Sequence, residues 1–235
     1  MATRFYFTSS ATTPSNSPGF AAWTRTTEGV RRFMDITKDG TAMASRSMWA
    51  GTSPVANASA LNTQWHSGLL EVGIPFATTD TIKMVVRAQE SAANDNVNRT
   101  PVCLKVYNGT TLQATLKALG HYGPNTTEWN TSLRNKQALD GDVLDANYTT
   151  VLGDYLVLEV GGQVDATGGT SVTGNMSWGS NSSTDLAENE TGTAADNPWF
   201  ELSRDFDFLL PPGLGGPLVG ESMPARDGAG ALLRY

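Results

Sequence analysis

The chain has 235 residues, 39% of them hydrophobic, 9% aromatic and 17% charged, with a formal net charge of −7. That length holds one large β-domain or two small ones, with ample material for a core. The acidic balance excludes an ordinary nucleic-acid partner, because phosphate binding needs clustered Lys and Arg and here only Arg31-Arg32 stand together.

Ser, Thr, Asn and Gly are abundant, which favours short strands and many turns over helices. The single cysteine, Cys103, excludes an intrachain disulfide, and its strand-like setting reads as a small buried hydrophobe. No apolar run follows Met1-Ala2-Thr3-Arg4-Phe5, and no stretch reaches membrane-spanning length. The expectation is a soluble chain made in a cytoplasm, not secreted, with no membrane partner.

Taken in order, residues 4–7 read as a short strand and residues 12–20 as a Pro, Ser and Asn-rich loop. Trp23, Val30 and Phe33 could anchor a short helix, which adjacent threonines and Gly29 oppose. Residues 34–62 show no clean period. Residues 1–62 are expected to form an N-terminal arm or a first β-layer.

From Gly68 a period of two sets in. Leu70, Val72, Ile74 and Phe76 share a face, and Ile82, Met84, Val86 and Ala88 define a half-buried antiparallel strand. Asn108-Gly109 lies between alternating runs at 102–107 and 110–118, which predicts a hairpin with a two-residue loop. Residues 120–150 form a long excursion in which Glu128 to Leu139 could hold a helical turn.

Tyr155 to Val160 is apolar on both parities except for Glu159, the pattern of a strand covered on both faces. Gly161-Gly162 and Gly168-Gly169 bracket a turn, Val172 to Trp178 alternates, and Asn197 to Leu202 closes a third strand after a polar loop. The predicted fold is an all-β, antiparallel, jelly-roll-like β-sandwich over 63–203. An extended tail over 204–235 completes it. The Pro, Gly, Ala and Leu-rich segment 211–235 has no core to offset an ordering cost of roughly 1–2 kcal/mol per residue. It is expected to lie against a neighbouring subunit through Leu214, Leu218, Leu232, Leu233 and Tyr235.

The strings GDYLVLEVGG, GNMSWGSNSSTDLAENET and NPWFELS resemble the end of a group of tailed-bacteriophage virion proteins. RFYFTSS and SPGFAAWTRTTEGVRRFM resemble their N-termini. The likeness touches both ends of residues 1–203 and nothing after Arg204. It implies a place, the phage particle, and a structural subunit of the capsid or tail, a decoration or fibre-type protein. The expected partners are other virion proteins and copies of the chain itself, a trimer first among them. The competing expectation is a carbohydrate-binding module that recognises a host surface glycan.

Candidate sites follow from residue type. Asp185, Glu188, Glu190 and Asp196 could supply the oxygen ligands that calcium wants, or form a solvated acidic loop. Calcium is the one cofactor considered. Trp65 and Trp129 could form a sugar-stacking platform, with Trp129 the exposed candidate and Trp178 placed in the core by its parity. A carboxylate pair for glycoside hydrolysis would have to come from the acidic loop or from Asp140, Asp142 and Asp145. His66 and His121 have no metal-ligand spacing and read as loop histidines. No nucleophile, base and orienting group can be assembled from these motifs, so no enzyme is expected.

Overall fold

The computed structural model describes residues 2–9, 13–15, 17–38, 40–52, 56–93, 95–122, 127–164, 172–206 and 208–210. The tail anchors Leu214, Leu218, Leu232, Leu233 and Tyr235, and the glycines Gly168 and Gly169, lie outside the described residues. Within them the protein is all-β. Its strands are β1 (Thr3–Phe7), β2 (Val30–Asp35), β3 (Ala44–Thr52), β4 (Ser59–Leu70), β5 (Pro75–Phe76), β6 (Thr81–Glu90), β7 (Val97–Arg99) and β8 (Val102–Asn108). They continue as β9 (Thr111–Gly120), β10 (Arg134–Val143), β11 (Tyr148–Thr149), β12 (Asp154–Val164), β13 (Val172–Trp178), β14 (Trp199–Leu202) and β15 (Phe208–Leu210).

Two layers form a β-sandwich. In the first, β10 lies along one edge of β6, while β13 and β14 share its other edge end to end. β3 extends the layer beyond β13, and β1 extends it beyond β14. In the second layer, β12 lies between β4 and β8, with β9 outside β8. The strand β2 joins the layers: it runs antiparallel to β1 at Met34 and Asp35 and parallel to β4 from Val30 to Phe33. β15 takes the edge of β4 beyond the point where β2 leaves it, pairing Phe208 with Leu70.

The core lies between the layers. Trp65 of β4 meets Phe7 of β1 and Trp178 of β13 with ring centroids 4.9 and 5.0 Å apart, a tilted and an edge-on aromatic contact. Phe5 packs in turn against Phe200, Phe206 and Phe208.

Several expectations need correction. Val30–Phe33 is strand, because its residues pair with β4 while Met34 and Asp35 go on to pair with β1, and that pairing outweighs a weak local helical pattern. Arg134–Leu139 is likewise strand, laid along β6, so the excursion between 120 and 150 contains a sheet edge. The boundary placed between 62 and 63 falls inside β4, and residues 1–62 supply three whole strands of the sandwich. The boundary at 203 also falls early. Arg204 makes a two-pronged ion pair with Asp80 at 2.8 Å, Phe206 is buried, and β15 is part of the second layer.

The hairpin is present with its loop one residue on. Asn108 pairs with Thr111, so the loop is Gly109-Thr110, and only Gly109 has a positive φ, +56°. A glycine at the first loop position with positive φ is the type II′ pattern, whereas type I′ needs both residues positive. Gly161-Gly162 does not turn the chain. Both lie inside β12, where a Cβ on Gly161 would sit 2.0 Å from the Ala60 carbonyl oxygen and 2.6 Å from Trp23 Cζ3. These glycines mark close approach of other groups to a strand.

Candidate functional site

The loop between β13 and β14 carries the four acidic residues read as calcium ligands, and the fold turns each toward a different partner. Asp185 accepts from Arg4 Nη1 at 2.8 Å and from Tyr6 Oη at 3.2 Å, and it pairs with Lys38 at 2.7 Å. Burial opposes its ionisation, but Lys38 and Arg4 hold the carboxyl below its ordinary range. Glu188 pairs with Lys83 at 2.9 Å. Glu190 accepts from Lys136 Nζ at 2.5 Å and from the Gln137 backbone N–H at 2.8 Å. Asp196 accepts from Ser182 Oγ at 2.7 Å.

The residues therefore do not converge, and no group of three or more His, Cys, Asp or Glu side chains with metal-holding geometry exists among the described residues. Their shared effect is to tie the loop across β1, β6 and β10. Leu186 and Trp199 are buried beneath it with Val85. Arg4 completes the seam by stacking on the Trp199 ring, its Cζ 3.9 Å from the centroid.

The two tryptophans read as a sugar platform are both interior, which corrects that expectation. Trp65 has no exposed surface, since Phe7 and Trp178 cover it. Trp129 follows a loop, but its backbone N–H donates to Val97 O at 2.7 Å and its ring lies over Gly162 and Gly174. A Cβ at those two positions would approach the Trp129 ring to 3.0 and 3.2 Å, so a slot floored by two glycines admits the indole. Trp178 is in the core as its parity indicates, and its indole N–H donates to Asn62 Oδ1 at 2.8 Å.

The other carboxylates are equally dispersed. Asp140 accepts from Gln137 Nε2, and Asp142 accepts from the Asp140 N–H. Asp145 pairs with Lys117 at 2.9 Å and caps the Ala118 N–H of β9. Cys103 is buried in β8, where burial pushes its thiol up to about 12.

A buried polar network on the outer face of the second layer had no motif to announce it. Glu159, the one polar residue in the apolar run of β12, is almost fully buried. It accepts from the Ala21 N–H at 3.0 Å, Trp23 Nε1 at 2.6 Å and Gln64 Nε2 at 2.8 Å. A carboxylate only accepts, so the Gln64 amide nitrogen must face Glu159 and its oxygen must face the other way. There Gln64 Oε1 accepts from Arg31 Nε at 3.1 Å and from His66 Nε2 at 2.9 Å.

His66 is thus a strand residue, contrary to its reading as a loop histidine. Burial, with the Arg31 charge beside it, lowers its imidazole to about 3, so the ring is neutral with its proton on Nε2. Tyr155 stacks on it at 5.5 Å and Tyr107 on Tyr155 at 6.4 Å. His121 lies just after β9, and burial lowers its pKa too.

Arg31 leads this network to the surface. Its Nη2 donates to Pro18 O at 3.0 Å, and its Cζ lies 4.2 Å from the Phe20 ring centroid. It lines an open groove of about 500 Å³ with Thr13, Pro14, Ser17 and Val30. The signal in the sequence was Glu159 itself, a lone carboxylate in a doubly covered strand.

No protein-family model and no curated protein matches the chain.

Proposed function

We propose that this protein is a structural subunit of a bacteriophage particle, a capsid- or tail-attached decoration or fibre-type protein that acts through assembly. The resemblance of strings at both ends of residues 1–203 to virion proteins supports the place. The fold's use of its polar residues supports a structural role. The loop carboxylates are spent on Arg4, Lys38, Lys83 and Lys136, and both candidate sugar-stacking tryptophans are spent on the core. The competing reading, a receptor module built on Trp65 and Trp129, loses the residues that carried it.

One observation carries the assembly reading. β15 pins residues 208–210 to the edge of β4, and Arg204 locks the approach through Asp80. The Pro, Gly and Leu-rich residues 211–235 therefore begin from a fixed point on a finished sandwich. A segment of that composition gains order by burying its leucines and tyrosine on a partner, about 1.5–3 kcal/mol for each large side chain covered. The partner in this reading is a neighbouring subunit of a homotrimer or of the particle.

Truncation after Leu210 tests this. The shortened chain is expected to keep its thermal transition while losing its place in purified particles and its trimeric sedimentation. A truncated chain present in particles at wild-type copy number would overturn the assignment.

A further inference from the structure

We propose that the groove beside Arg31 binds a carboxylate-bearing sugar of the hexuronate class, with the Arg31 guanidinium as its anion contact. Among the described residues Arg31 makes no ion pair, unlike Arg4, Arg25 and Arg204. Its two contacts are both neutral oxygens, Gln64 Oε1 and Pro18 O, and its planar face rests on Phe20. A guanidinium has five N–H donors. The Nε–H and one Nη2–H are committed to these acceptors, which leaves both Nη1 donors and the second Nη2 donor. Strand register holds the side chain: Arg31 pairs with Gln64, and Gln64 is fixed in turn by buried Glu159. The cation is therefore positioned before any ligand arrives, which removes an ordering cost that a free surface arginine would impose.

The groove selects the ligand class. One guanidinium matches one planar carboxylate through paired N–H donors, whereas a phosphate dianion calls for more positive charge than a single arginine supplies. Arg32, the next residue on β2, faces the opposite side of the strand and adds nothing here. Around Arg31 the lining is mixed. Pro14 and Val30 offer apolar surface for the C–H face of a pyranose, and Thr13 and Ser17 offer hydroxyls for its ring substituents. The Ser17 proton is already given to Pro14 O at 3.0 Å, so Ser17 presents its oxygen as an acceptor. The volume of about 500 Å³ lies within the range of small-molecule sites. The Glu159 carboxylate is met by three N–H donors, and the Gln64 amide stands between it and Arg31.

None of the lining residues belongs to residues 211–235, so truncation after Leu210 removes none of them and the two proposals fail independently. The test is a ¹H–¹⁵N NMR titration of the full chain with sodium D-glucuronate, run beside D-glucose, sodium acetate and inorganic phosphate. Glucuronate is expected to shift the amides of Ser17, Val30 and Arg31 saturably, and each of the other three to bind more weakly by about tenfold or more. Arg31→Gln is expected to weaken glucuronate binding by about tenfold or more, the loss expected for a charge-assisted pair. Thr13→Trp fills the groove without touching Gln64 or Glu159 and is expected to abolish the shifts. The absence of a saturable glucuronate shift overturns the proposal. So does equal binding of acetate or phosphate, or unchanged glucuronate affinity in the Thr13→Trp chain.

Discussion

Two glutamates, each about 1% exposed, divide the molecule into contrasting regions. Glu159, under the outer face of the second layer, receives N–H donors from Ala21, Trp23 and Gln64, three groups on two separate stretches of chain. Glu90, at the end of β6, receives one backbone donor, from Val97 at 3.2 Å, and faces the carboxylates of Glu128 and Asp95. The Asp95 carboxylate is committed to Ser91, Ala92 and Thr173, and Glu128 accepts from the Asn96 N–H. Burial with few donors, and then the neighbouring acids, push Glu90 up to about 8. Equal burial thus yields a clamp in one place and a proton-holding group in the other. Glu90 differs in having one donor and two acids beside it.

Removing the clamp tests the first half of that contrast. Glu159→Ala leaves three donors without an acceptor, two of them buried, and frees residues 19–23 from the sheet. The expected loss is about 3–5 kcal/mol, read from the urea midpoint. A loss under about 1 kcal/mol would show that the donors re-pair with water and that Glu159 is not a clamp.

Gly161→Ala attacks the same clamp through sterics. The added methyl must displace the Ala60 carbonyl and the Trp23 ring, which donates to Glu159. The expected cost is about 1–3 kcal/mol, with loss of protection at the Trp23 indole N–H in hydrogen exchange. Unchanged protection would separate the glycine from the network.

The two regions also set opposite pH limits. Glu90 holds its proton more tightly folded than unfolded, so its contribution is complete below about 4.5 and is lost as pH rises toward about 8. His66 is the reverse case. Its folded pKa of about 3 lies below the ordinary 6.5, so stability is lost as pH falls from about 6.5 toward 3. Thermal unfolding from pH 4 to 9 should show Glu90→Gln flattening the alkaline decline and His66→Gln flattening the acidic one. For a domain of this size each kcal/mol corresponds to about 2–4 °C. A Glu90→Gln profile parallel to wild type from pH 5 to 9 would place the titrating group elsewhere.

The smallest effect belongs to the exposed ion pairs. Glu188→Gln breaks the pair with Lys83, both side chains being more than a third exposed, and should cost at most about 1 kcal/mol. Glu190→Gln should cost more, because Lys136 is nearly buried and the Gln137 N–H shares the same carboxylate. Equal costs would refute the ranking by burial.

What the sequence made legible was local. β6, β8, β9 and β12 announce themselves by alternation or by a doubly apolar run, and the Asn108-Gly109 turn is out by a single residue. β4 was hidden because Asn62, Gln64 and His66 are polar yet buried: Asn62 bonds Trp178 and Arg46 of the first layer, and Gln64 and His66 belong to the network that Glu159 and Arg31 complete. β2 and β10 have little period of their own and take their form from partners far along the chain. The fate of Trp129 rested on Gly162 and Gly174, two glycines that become its slot only when β12 and β13 are assembled. The dispersal of the acidic loop was illegible for the same reason: its cations lie on β1, β6 and β10, and between β2 and β3.

The position of β1 bears on the order in which the chain is made. β1 lies between β2 and β14, and Arg4 meets its ion partner Glu201 across 197 residues. A ribosome that has released β1 must therefore add nearly the whole chain before the strand that covers its second edge exists. Until then one row of β1 backbone N–H and C=O groups has no partner in the sheet, and Phe5 lacks Phe200 and Phe206. Closure of the first layer is thus a late event in synthesis, and it is slow, because its loop-closure entropy is met before the contacts that repay it. Chains halted before residue 199 would carry an open edge at β1, which makes them templates for pairing with one another.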